Sequence, residues 1–130
     1  MYFVTWRLHH HEDALAPAKR DIVAECLKRF HQERYRLATY VVMDDHVHVL
    51  AQPLPEHKLS QALHTWKSFT ASAINKLRDT GGTLWQKGSH TRVVLSEREL
   101  RAKAEYILSN PAKRWPGTTD YPWAEWLDVF

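Results

Sequence analysis

The sequence predicts an α+β fold, a ferredoxin-like β-α-β-β-α-β antiparallel sheet with an added C-terminal helix. Three observations carry this expectation. Short stretches rich in β-branched and aromatic residues alternate with longer stretches whose apolar residues recur every 3.6 positions. Two of the short stretches are separated only by Asp44-Asp45, which is hairpin chemistry. Finally, 130 residues suffice for one continuous core and are too few for two, so a single domain over 1–130 is expected.

The elements follow in order. Tyr2-Phe-Val-Thr-Trp-Arg-Leu8 reads as a strand with Phe3 and Thr5 on one side and Val4 and Trp6 on the other. From Pro17, the positions Ile22, Val23, Cys26, Leu27 and Phe30 trace a helix ending near Arg34. Leu37–Met43 and His46–Gln52 are expected to pair as antiparallel strands. Leu59, Leu63, Trp66, Thr70, Ala73 and Leu77 mark a second helix over Leu59–Arg78, closed by Thr80-Gly81-Gly82. Leu84–Gln86 and Arg92–Leu95 supply a fourth strand, broken around Gly88. Ser96-Glu-Arg-Glu99 is an S-x-x-E capping box, and it opens a helix over Glu97–Ser109 that Pro111 should stop. The pattern places its helices on one face of the sheet.

Composition removes several function classes. The chain is 44% hydrophobic, 12% aromatic and 25% charged, an ordinary balance for a folded protein. No apolar run exceeds the four residues of Met1–Val4 or Tyr40–Met43, so neither a membrane span nor a secretory leader is expected. Cys26 is the single cysteine, which excludes an internal disulfide and fits a cytoplasmic protein. No G-x-G-x-x-G, P-loop or G-x-S-x-G is present. The net charge of +3, with basic residues interleaved among six Trp, five Tyr and four Phe, suits a single-stranded nucleic acid.

Two groups carry chemistry. His46 and His48 alternate along a strand, so both imidazoles project from one face and could grip a divalent cation; two half-exposed histidines on a polar sheet face is the competing reading. Tyr106 and Asn110, spaced i,i+4, place a phenol and a carboxamide one turn apart on the last helix. They read as a nucleophile and a third ligand, or as a core-edge aromatic and a helix C-cap before Pro111. His9-His10-His11 is expected to be an exposed loop. The cations Lys67, Lys76, Arg78, Lys87, Arg92, Arg98, Lys113 and Arg114 could meet phosphates, with Trp85 or Trp115 stacking on a base. Lys103, one turn before Tyr106, could help the phenol lose its proton and adds to the expected DNA contacts.

The residues also resemble a family. Tyr2–Leu8, Tyr40-Val-Val-Met-Asp-Asp-His-Val-His-Val-Leu50, Lys67-Ser-Phe-Thr-Ala71 with Asn75, Leu84-Trp-Gln86, Tyr106-Ile-Leu-Ser-Asn-Pro111 and Tyr121-Pro-Trp123 occur in the order seen in REP-associated tyrosine transposases. These are a branch of the HUH single-strand transposases. The resemblance implies that His46, His48 and Asn110 hold Mg²⁺ or Mn²⁺ and that Tyr106 attacks a phosphodiester to give a 5′-phosphotyrosine. It further implies single-stranded DNA near palindromic repeat hairpins as the partner, a cytoplasmic, nucleoid-associated setting, and a monomer or homodimer. The chain departs from the family pattern at Asp44, where Pro is usual, at Thr91, where an acidic residue is common, and at Ala112-Lys-Arg-Trp-Pro-Gly117, where a small-residue turn is usual. The alternative is a noncatalytic nucleic-acid-binding module on the same fold, which would have no need of His46, His48, Tyr106 and Asn110 together.

Overall fold

Residues 1–127 are described by the structure, a computed structural model. In chain order the elements are β1 (Tyr2–Arg7), α1 (Pro17–Arg29), β2 (Tyr35–Val42), β3 (His46–Pro53), α2 (Leu59–Leu77), β4 (His90–Val93), α3 (Glu97–Arg114) and β5 (Ala124–Trp126). The strands form one sheet in the order β4-β1-β3-β2-β5, every neighbouring pair antiparallel. The first four strands have the ferredoxin-like arrangement that the alternation predicted. Among the described residues no helix is long and apolar enough to cross a membrane.

The pleat divides the sheet into two unlike faces. Val4, Trp6, Tyr40, Val42, Val47 and Val49 point to one side, where α1 and α2 cover them with Val23, Leu27, Trp66 and Ile74. The other side carries Val41 and Leu50, and α3 covers it with Leu100, Ala104 and Ile107. The helices therefore do not share one face. The third helix closes the opposite side, because its apolar stripe would otherwise have no partner.

Several elements differ from the sequence reading, chiefly through tertiary contacts. α1 ends at Arg29 rather than near Arg34. The chain reverses through Gln32, at φ 71°, and delivers Tyr35 into the core, where its hydroxyl donates to Leu27 O at 2.5 Å. His31 holds this turn by accepting from Leu37 N at 2.8 Å. Leu84–Gln86 is not a strand: Trp85 makes only an isolated bridge to Leu8, and on this edge of β1 the ladder is confined to β4, over His90–Val93 rather than Arg92–Leu95.

α3 runs through Pro111 to Arg114. A proline removes one helical N–H and disfavours helix in the residue before it. Here Pro111 is buried, Trp115 N donates back to Pro111 O at 2.7 Å, and the penalty is overcome by packing. The start of this helix was read correctly in part: Ser96 Oγ accepts from Glu99 N at 3.1 Å, while the Glu99 carboxylate reaches Leu95 N rather than Ser96 N. Beyond it, β5 was not foreseen. It pairs with β2 while Tyr121 donates to Val42 O at 2.6 Å, and Trp123 packs under Arg20 and donates to Asp21 at 2.7 Å.

Candidate active site

β3 places His46 and His48 on the α3 side, with Val47 and Val49 turned into the main core. The two imidazole centroids are 4.7 Å apart. His46 Nδ1 is bonded to Asp45 Oδ1 at 2.6 Å and His48 Nδ1 to Thr5 Oγ1 at 2.7 Å, across from it on β1. Both Nδ1 atoms are thereby engaged, which leaves Nε2 of each ring as the free donor. A carboxylate behind a histidine fixes its tautomer, and either a carboxylate or a hydroxyl there holds the ring's orientation.

The two histidines differ in burial. His48 is only 5% exposed, stacked on Phe3 at 5.4 Å and edge-on to Tyr106 at 5.5 Å. Burial, and then the neighbouring His46 and Arg7, push its pKa down to about 3, so the ring is neutral near pH 7 and carries a lone pair. His48 is therefore core rather than half-exposed on a polar sheet face, because α3 covers the face it projects from.

Tyr106 lies on α3 with its ring half-exposed, 45% accessible. The cation on this ring is Lys113 at 4.9 Å; Lys103 lies over Phe3 at 5.1 Å instead. Lys113 thus takes the place expected of Lys103, since one side of the phenol faces the following turns of α3. Asn110 is not a C-cap, because the helix continues past it to Arg114. Its Nδ2 donates to Tyr106 O at 2.7 Å, which leaves the carboxamide oxygen as the outward acceptor.

The expected DNA-contact residues divide in two. Lys87 and Lys113 are exposed. Arg92 is exposed but leans on Glu99 at 3.6 Å. Trp85, by contrast, is 4% exposed and donates to Thr70 Oγ1 at 2.9 Å, so it cannot stack on a base; its ring fills the space beside Trp6. Trp115 is stacked on Tyr121. Arg78 is paired with Glu12. Lys67 donates to Gln86 O and Gly88 O, both at 2.8 Å, and clasps a loop. Arg114 reaches Asp44 at 2.9 Å and Asp45 at 3.8 Å, so it ties α3 to the acidic turn behind His46. Two positions that depart from the family pattern thus meet each other.

His9-His10-His11 forms the expected surface turn, its ring nitrogens within 4.8 Å of one another. Sequence reasoning missed Thr5 as the partner of His48 and Arg7 as a cation beside the pair. Their positions on the Phe3–Thr5 side of β1 were readable; their register against His48 and His46 was not.

Comparison with known proteins bears on this assembly. The family model described as IS200-like transposase matches residues 1–110. The chain belongs to that family. As a member it is a transposase acting on DNA, of the tyrosine transposase and endonuclease class. A REP-associated tyrosine transposase bound to a REP hairpin is similar in fold, with a TM-score of 0.76 and 19% identity over 95% of this chain and 74% of that one. A protein of Deinococcus radiodurans R1 assigned as a transposase gives a TM-score of 0.60 at 21% identity, over 84% of this chain and 88% of that one. No curated protein matches the chain significantly.

Proposed function

We propose that this transposase nicks and rejoins single-stranded DNA beside palindromic repeat hairpins, with Tyr106 as nucleophile and His46, His48 and Asn110 as the ligands of a divalent cation. The observation that carries this reading is the convergence, within one chain, of two Nε2 donors and a phenol on the α3 side of the sheet, with the carboxamide of Asn110 hydrogen-bonded one turn from the phenol. The donor set fits such an ion. Two imidazoles with their Nδ1 atoms held, plus an amide oxygen, suit Mg²⁺ or Mn²⁺ in the cell and would accept softer divalent ions. When bound, the cation would neutralise the non-bridging oxygens of the phosphodiester.

The protein groups do the rest. Tyr106 Oη attacks phosphorus in line, its proton is lost, and the 3′-oxygen departs and is protonated; the product is a 5′-phosphotyrosine and a free 3′-hydroxyl. Lys113, over the ring, stabilises the negative charge that develops on the phenol oxygen. The phosphotyrosyl bond keeps the phosphate activated, so another 3′-hydroxyl can displace Tyr106 and rejoin strands without a nucleotide. Because one chain supplies every group, exchange of α3 between copies is not needed to complete the site.

The test is a denaturing gel. Labelled hairpin-flanked single strands incubated with Mn²⁺ should give a covalent protein–DNA adduct that chelator prevents. Binding without any adduct at any metal concentration would favour the noncatalytic module.

A further inference from the structure

A cleft of about 250 Å³ lies between β1 and the segment leading into β4, lined by Thr5, Trp6, Arg7, Lys87 and His90 among others. Register places its groups. Arg7 is opposite His46, Thr5 is opposite His48 on one flank and His90 on the other, and paired residues share a face. Arg7 and His90 therefore stand on the same side of the sheet as the two histidines. The Arg7 side chain is exposed; Asp45 lies near enough to feel its charge, but among the described residues no carboxylate lies within ion-pair distance of it. Asp45, the nearest acid by register, is engaged by His46 and Arg114.

The opposite wall of the cleft is fixed. Gln86 N donates to Arg7 O at 2.8 Å, Gln86 Nε2 donates to Leu8 O at 3.2 Å, and Lys67 holds the carbonyls of Gln86 and Gly88. Gly88 turns the chain at φ 83°, a conformation open to glycine. Lys87 is thus presented by a pinned loop across from Arg7. A cleft with two cations on a braced frame, large enough to admit a phosphate group and one strand over from His46, suits the anionic backbone that enters or leaves the reaction centre.

We infer that Arg7, with Lys87 facing it, holds a phosphate of the single-stranded DNA adjacent to the one that Tyr106 attacks. This rests on the strand-cleavage reading above and adds a positioning residue to it. Such a contact sets which bond lies in line with the phenol, a matter of placement that chemistry depends on steeply.

The experiment measures affinity for a labelled single-stranded oligonucleotide with a palindromic hairpin and unpaired flanks, without metal, across a salt series. Each phosphate neutralised on a single strand contributes about 0.7 to the slope of log K against log salt. Arg7→Ala and Arg7→Gln should each lower that slope by about 0.7, Arg7→Lys should keep it, and circular dichroism melts should match wild type. If Arg7→Ala and Arg7→Gln keep the wild-type slope, or if they lose affinity only by melting early, the subsite is overturned while the cleavage reading stands. If wild type itself binds with no salt slope, the DNA reading fails first and the subsite with it.

Discussion

The two faces of the sheet are built from the same strands and do opposite things. Toward α1 and α2, Trp6 stacks on Trp66 at 5.8 Å with Trp85 edge-on at 6.1 Å; Trp66 donates to the Tyr35 hydroxyl, which donates to Leu27 O, while the buried Trp6 Nε1 has no partner among the described residues. Toward α3, a smaller apolar patch around Leu50 and Ile107 borders a polar row of Thr5, His48 and His46. Large aromatic burial supplies stability on the first face. The second gives up part of its core to hold imidazoles in fixed orientations, so alternate residues of β3 answer to different demands.

That comparison can be broken by mutation, most sharply at Tyr106. Tyr106→Phe should abolish the covalent adduct while changing stability by less than about 0.5 kcal/mol, since the ring still packs and is half-exposed. A gel showing an adduct with this variant would remove Tyr106 from its role. On the other face, Trp66→Ala should cost about 3–5 kcal/mol in denaturant unfolding, because a ring 1% exposed leaves a cavity and removes the N–H that the Tyr35 hydroxyl accepts. A small loss there would mean that the aromatic face is not what holds the fold.

His46 and His48 sharpen the comparison. Either alanine variant should lose metal-dependent cleavage. Only His48→Ala should also destabilise appreciably, by about 1–3 kcal/mol, since it empties a site between Phe3 and Tyr106 and strands the Thr5 hydroxyl. Equal melting of the two variants would contradict the burial difference.

Asn110 gives a smaller effect. Because it sits inside α3, Asn110→Gly should cost about 1 kcal/mol or less and raise the Mn²⁺ needed for cleavage, whereas Asn110→Asp should retain part of the metal response. A metal titration in which the Gly variant matches wild type would leave two protein ligands. The smallest change is expected from Arg114→Ala: Arg114 and Asp45 are half-exposed while the Asp44 carboxylate is largely buried, so stability should fall by about 1 kcal/mol, with a modest rise in metal requirement as the carboxylate behind His46 loosens.

What the chain determined by itself was whatever a local period encodes. The alternation in Tyr2–Leu8 assigned Phe3 and Thr5 to one face and Val4 and Trp6 to the other, His46-Val47-His48 put two imidazoles on one side, and the i,i+4 spacing joined Tyr106 to Asn110. These follow from the pleat and the helical turn, which need no partner. Tertiary structure decided what lies opposite: that α3 covers the histidine face, that Pro111 is carried inside a helix, and that Trp85 is core rather than a stacking platform. It also decided that Thr5 and Arg7 meet His48 and His46. The physical reason is that burial and cross-strand register are set by which surfaces pack together, and packing free energy outweighs the roughly 1–3 kcal/mol of local preference that a proline or a cap residue expresses.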